Sequence, residues 1–218
     1  MINFQDWNIK LQKLYDVYTK FDDNTIYTKE EIVSTEQELK DIEATIGTSI
    51  PPSLRETFLN FSKKIWLLAT FPETLEIPPN LKDVFSANFL ISPDELLNAE
   101  DDRKSWVEGC FPNLEDPYDK VWHNKLGFMT VPNGDVIAFD LNDSKEDKRV
   151  VYLCHDGCEY HGYVLGESFS DYFSKLLLIG GCGNEGWQME PFISNSVSGI
   201  DPDCDNAREY RKIIGLQW

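Results

Sequence analysis

Trp7, Leu11, Leu14, Tyr18 and Phe21 recur at three- and four-residue steps, which lines them along one stripe of a helix over about residues 5–21. A polar connector, "DDNTIYTKEEIV", follows. In "STEQELKDIEATIG", Ser34 and Gln37 can cap each other's amides, and Gly47 supplies the stop. "IPPSLRETFLNFSKKI" repeats the pattern: Pro51 and Pro52 enforce an extended entry, Ser53 with Glu56 makes a capping box, and Leu54, Phe58, Phe61 and Ile65 form the stripe. "IWLLATF" predicts a short strand and "VFSANFLI" a second one. Ser92, Pro93 and Glu95 spell N-cap, first helical position and capping acid, so a helix starts at 93 and reaches the Trp106 region.

The period then changes to two. "LGFMTVP" and "DVIAFDL" flank Asn133-Gly134, a dipeptide that tolerates positive φ at both central positions of a type I′ turn, and this predicts a β-hairpin. In its second strand Ile137, Phe139 and Leu141 share one face, while Val136, Ala138 and Asp140 share the other. "RVVYLC" and "YVL" continue the meander. "SFSDYFSKLLLIGG" is a helix capped by Ser168, striped by Phe169, Phe173, Leu176 and Leu177, and closed by Gly180-Gly181. Beyond Gly183 the chain is irregular until a last helix over about 204–215; Trp187, Phe192, Ile213 and Ile214 are expected to dock on the body. The fold class expected is α+β, a mostly antiparallel sheet flanked by amphipathic helices. Its parts are an N-terminal helical extension (1–30), the α+β domain (31–180) and a docking C-terminal appendage (181–218).

Charge narrows the possible partners. Of 218 residues, 38 are acidic and 20 basic, a formal charge of −18 that repels nucleic-acid phosphates and anionic lipid headgroups and favours a basic protein. Nine acids lie between Asp94 and Asp119 against Arg103 and Lys104, the strongest negative run in the chain. An odd five cysteines at irregular spacing predict reduced thiols and a cytoplasmic protein, and no window approaches a membrane span.

Reactive constellations fail on geometry. Cys154, His155, Cys158 and His161 crowd together, but C-x3-C with interleaved histidines is not the paired spacing of a zinc module. Asp140-x-Asn142-x-Ser144 and Asp201-x-Asp203-x-Asp205 imitate half an EF-hand loop and lack its glycine and its closing glutamate. "GGCGNEG" follows a helix where a phosphate cradle would open one. No catalytic, metal or cofactor residue is assigned.

Four pieces in order, "STEQELKDIEATIGTSIPPSLRETFLNF", "LGFMTVPNGDVIAFDL", "VVYLCHDG" and "SFSDYFSKLL", resemble the SUKH superfamily over about residues 32–178. That superfamily includes the yeast cell-wall-assembly regulator and many bacterial immunity proteins. Gly134, Asp135, Asp140 and Leu141 fit its strand-turn pattern. The resemblance implies a binding protein without turnover, one that covers a cognate toxin, often a nuclease. The alternatives are a regulatory scaffold on cellular proteins, as in the yeast branch, and a hydrolase using a carboxylate pair. Expected contacts to a basic toxin domain are Asp101, Asp102, Glu115, Asp116 and Asp119, with Trp122 as an aromatic anchor. Asp143, Glu146 and Asp147 form a second set. Gly134 and Asp135 belong to turn chemistry, and Asp140 braces a neighbouring strand or loop.

Overall fold

One strand, β5 (Val136–Asp140), sets the layout because both of its faces are buried. The computed structural model describes residues 2–21 and 24–218. Ile137 and Phe139 enter the large core, and Val136 and Ala138 enter a smaller cluster on the other side. The strand pairs antiparallel with β4 (Lys125–Thr130) and β6 (Val150–Leu153), and β7 (Val164–Gly166) completes a four-stranded sheet. The aromatic helix α6 (Phe169–Leu178) covers the first face, where Phe128, Phe169 and Tyr172 meet edge to face. The second face carries α4 (Pro93–Gly109) and the short α5 (Pro117–Trp122).

The α+β class stands, and its strands divide into two sheets. β1 (Ile26–Lys29), β2 (Ile65–Thr70) and β3 (Ser86–Ile91) form the second, also antiparallel. β3 does not continue into β4 because its free edge is occupied. Asn88 N–H donates to Gly181 O, and Gly183 N–H donates to Ser86 O. Gly181 has φ of +63°, and a Cβ there would lie 3.0 Å from Phe89, so glycine lets the backbone run flush along that edge. β1 sits in the stretch that the sequence read as a connector. Its four residues are all half-buried, so no alternation marks them.

The helices α1 (Phe4–Tyr18), α2 (Glu36–Ile46) and α3 (Pro52–Asn60) fall where the stripes predict. Trp7 packs edge-on against Phe61, Phe169 and Phe173 and donates to Ser174 Oγ, which fixes α1 on α6. Two caps differ from expectation. Thr35 and Glu38, not Ser34 and Gln37, make the reciprocal box of α2, because Ser34 is buried with its N–H on Phe58 O. Ser53 does not cap α3. Its N–H and hydroxyl both donate to Asp147 Oδ1, so the cap arrives from 94 residues away.

The hairpin turn also differs. Only Gly134 takes positive φ (+97°), with its N–H on Val131 O and Val131 N–H on Asp135 O. This is the three-residue loop with a glycine bulge, which Pro132 favours by fixing φ at the turn's second position. At the C-terminal end, α7 (Gly186–Met189) and α8 (Asp205–Ile214) lean on the body through Phe192, Tyr210 and Ile214. Tyr18 joins the two ends of the chain: its hydroxyl donates to Gly180 O at 2.6 Å and lies 3.2 Å from the Tyr210 hydroxyl. Trp187, expected to be buried, is 38% exposed.

A Cβ on Gly127 would sit 2.4 Å from Ala99 O, so α4 approaches β4 more closely than alanine allows. Gly127→Ala should cost about 1–3 kcal/mol, read as a lower urea midpoint at unchanged m. Gly109→Ala, with nothing within 4 Å, should leave stability equal or raise it by about 0.5–1 kcal/mol. Equal effects of the two would refute the close approach.

Candidate interaction surface

α4 has two working faces. Leu96, Ala99, Glu100 and Arg103 form the inner stripe and are all buried. Asp101 and Glu108 lie about two turns apart on the outer face, with Asp102 beside Asp101, and all three are exposed. Arg103 does not offset that charge at the surface. Its guanidinium grips Glu100 with two bonds of 2.7 and 2.8 Å and reaches Trp122 O at 3.0 Å. Glu100 in turn accepts the Gly127 N–H at 2.9 Å. A buried ion pair is tolerated here because both partners are hydrogen-bonded further.

The loop after α4 extends this face. Glu115 is exposed, and Leu114 is 55% exposed among the acids. Asp116 and Asp119 are half-buried and serve the loop itself: Asp116 caps α5 through the N–H groups of Tyr118 and Asp119, and Asp119 accepts the Asn113 N–H. The expectation for Trp122 is corrected. It is fully buried, stacked on Phe111 with ring centroids 5.1 Å apart, so it is core and not an anchor. The sequence reading missed Glu108 and Leu114, although both stand in the acidic run that it singled out.

Under this face lies a polar network centred on Asp135, which is 2% exposed. One oxygen accepts His155 N–H and Nδ1–H at 2.8 and 2.6 Å, and the other accepts the Tyr152 hydroxyl and the Asn133 amide. Burial and the Asp135 carboxylate push the Tyr152 phenol far up. Trp106 stacks on His155 and donates to Gly134 O, so the hairpin turn, α4 and the 154–157 loop are tied at one point. Asp135 is therefore a buried hub as well as a turn residue. Asp140 pairs with Lys125 across the strand at 3.0 Å.

The second predicted set divides. Asp143 is buried; burial opposes its charge, but the Lys145 and Arg149 amides and the Arg149 guanidinium outweigh that and hold its carboxyl below the usual range. Asp147 caps α3, as described above. Asp143 is thus turned inward, Asp147 is half-buried with Oδ1 committed to α3, and Glu146 is exposed. Among the described residues the one grouping of side chains near enough to share a metal ion is Cys154, Asp156 and Cys158, and its two sulfurs are joined to each other. Cys110, Cys182 and Cys204 are free thiols, and the loop brings the Cys154 and Cys158 Cα atoms to 6.1 Å, within disulfide reach. All three histidine rings are committed, His123 to Phe111 O, His155 to Asp135 and His161 to the backbone. No helix of the described residues is long and apolar enough to cross a membrane.

His161 Nδ1 faces the Cys154 N–H, so it holds a lone pair, and Nε2 carries the proton donated to Tyr118 O. Burial lowers its pKa, and a proton on Nδ1 would oppose the Cys154 donor. The folded chain thus binds fewer protons here than the unfolded chain. This contribution to stability is present above the unfolded pKa of about 6.5 and is lost as pH falls through the lower folded value. Unfolding free energy measured from about pH 7.5 to 5 should fall less steeply in His161→Gln than in the parent. An unchanged slope would refute the neutral, buried assignment.

A family model described as SMI1 / KNR4 family (SUKH-1) matches residues 34–175, from the cap of α2 through most of α6. No curated protein and no solved structure matches. The match takes in α2 to α6, including both sides of β5 and the Gly134-Asp135 turn, and covers more than half of the chain. The chain belongs to the SMI1/KNR4 family (SUKH-1).

Proposed function

We propose that this chain is a cytoplasmic, non-catalytic immunity protein that neutralises a basic protein toxin domain, of nuclease type, by covering its active surface. The observation that carries the reading is the inward turn of Arg103. It leaves Asp101, Asp102, Glu108 and Glu115 outward, with no side-chain ion pair to any of them among the described residues. A surface that gathers carboxylates imitates the anionic substrate of a nucleic-acid enzyme, speeds encounter with a basic protein and repels nucleic acid itself. Leu114 offers the apolar anchor in place of Trp122. Family membership supports binding over turnover.

The test is co-expression with each toxin domain found encoded beside the gene, scoring growth rescue and complex formation; failure of both for every one of them, or the absence of any such domain, refutes immunity. Within a complex, reversing Asp101, Asp102, Glu108 and Glu115 to lysine should slow association by about tenfold or more and flatten its salt dependence, with the fold intact. Leu114→Ala should raise the dissociation rate and leave association unchanged. Unaltered association in the charge-reversed protein would remove this face from the contact.

A further inference from the structure

A groove of about 740 Å³, open to solvent, runs between the α2–α3 turn, α3 and the link that follows β5. Its size is that of ligand-binding clefts. Ile50 and Pro51 are buried in its base, and Leu59 and Leu141 are half-buried against the core, so its bottom is apolar. Charges lie along the lining. Arg55 is ion-paired with Glu36 and Glu43, while Lys148 Nζ is held only by a backbone carbonyl, Asp143 O, and keeps its charge. Glu43 is satisfied by Arg55 and by the Ile50 N–H. Glu56 and Glu146 line the same groove and have no ion-pair partner among the described residues. With Glu43, Glu56 and Glu146 set against Arg55 and Lys148, the lining is net negative by one charge, over an apolar base.

We propose that this groove docks an extended segment of a partner protein in which apolar side chains are flanked by lysine or arginine. The apolar side chains seat on Leu59 and Leu141, and the cations meet Glu56 and Glu146. The walls are held before any ligand arrives: Asp147 fastens the link to the start of α3 through Ser53, whose hydroxyl also accepts the Ser170 N–H, and Asp143 fastens the link on itself through Lys145 and Arg149. A pre-formed groove lowers the ordering cost of binding. The carboxylates Asp143 and Asp147 thus shape a contact surface without touching the partner. The proposal rests on the chain being a protein-binding module, but it uses none of the residues of the α4–α5 face.

The test titrates the isotope-labelled full chain with acetyl-Lys-Leu-Pro-Leu-Arg-amide and, separately, with the same peptide carrying Glu at both ends, followed by NMR. Proline keeps the probe extended. Saturable shifts of the Ile50, Glu56, Asn60 and Glu146 amides are expected with the basic peptide alone. The double variant Glu56→Lys, Glu146→Lys should bind it about fivefold or more weakly. Glu73→Lys with Glu76→Lys, exposed and outside both the groove and the α4–α5 face, should leave peptide affinity unchanged. Glu146 is exposed and Glu56 half-buried, and the variant's own spectrum reports that it is folded. No saturable shift at millimolar peptide, or equal binding of the Glu-ended probe, overturns the proposal. So do shifts confined to α4 and α5, and that outcome leaves the acidic-face reading standing. Conversely, groove shifts in a protein that rescues no toxin would separate this inference from immunity.

Discussion

The absence of a side chain at Gly127 lets α4 lie on β4 with Ala99 O almost in contact with the strand backbone. A helix pressed that close brings Glu100 onto the sheet, and its carboxylate can survive burial only by collecting donors: the Gly127 N–H and the Arg103 guanidinium. Arg103 then spends its remaining reach on Trp122 O, which locks α5 to the same assembly. Taking away either charged partner would strand the other in a dry site, a far larger penalty than loss of a surface pair. Helix rotation is thereby fixed, and with it the residues that face water.

The same logic explains why the exterior is more acidic than composition alone suggests. Arg103 is turned in, Lys125 is buried against Asp140 and the His123 carbonyl, and Arg55 is shared between Glu36 and Glu43. Each of these cations neutralises a carboxylate with a structural duty. The acids left over, on the outer face of α4 and along the groove, have only solvent. Like charges so placed repel each other, and a fold held by close-packed aromatics such as Trp7, Phe128 and Phe173 can carry that load.

Local rules were enough to read the elements whose determinants are local. Stripe, cap and stop residues located α1, α2, α4 and α6, and runs of strand-forming residues on either side of Asn133-Gly134 located β4 and β5. What escaped depends on distant partners. "STEQE" contains two overlapping capping boxes, and only the burial of Ser34 against Phe58 selects the second. Ser53 reads as a cap until Asp147 arrives from another part of the chain, and β1 exists only because β2 offers its edge. The division into two sheets was invisible for the same reason, since the strip that blocks β3 comes from residues 181–183. At the surface, composition pointed to the acidic run but not to which acids stay free. Trp122 shows the limit plainly: an aromatic residue beside acids suits an anchor and a core equally, and only Phe111 and His161 packed around it decide.

Carboxylates in this protein fall into two populations that obey different physics. Asp135, Asp143 and Asp147 are met by amide N–H groups and hydroxyls or, at Asp135 and Asp143, also by a histidine or arginine side chain, and each closes a turn or joins two elements. Protonating Asp143 would discard directed bonds, so its ionisation is coupled to the fold, as its lowered pKa reflects. Asp101, Asp102, Glu108 and Glu115 are exposed, and replacing them weakens the outward field and breaks nothing inside. An acidic binding protein built this way can change its outer acids to suit a different partner while its inner acids keep the scaffold constant. Surface charge and fold stability are then carried by separate sets of the same residue type, so one can vary while the other stays constant.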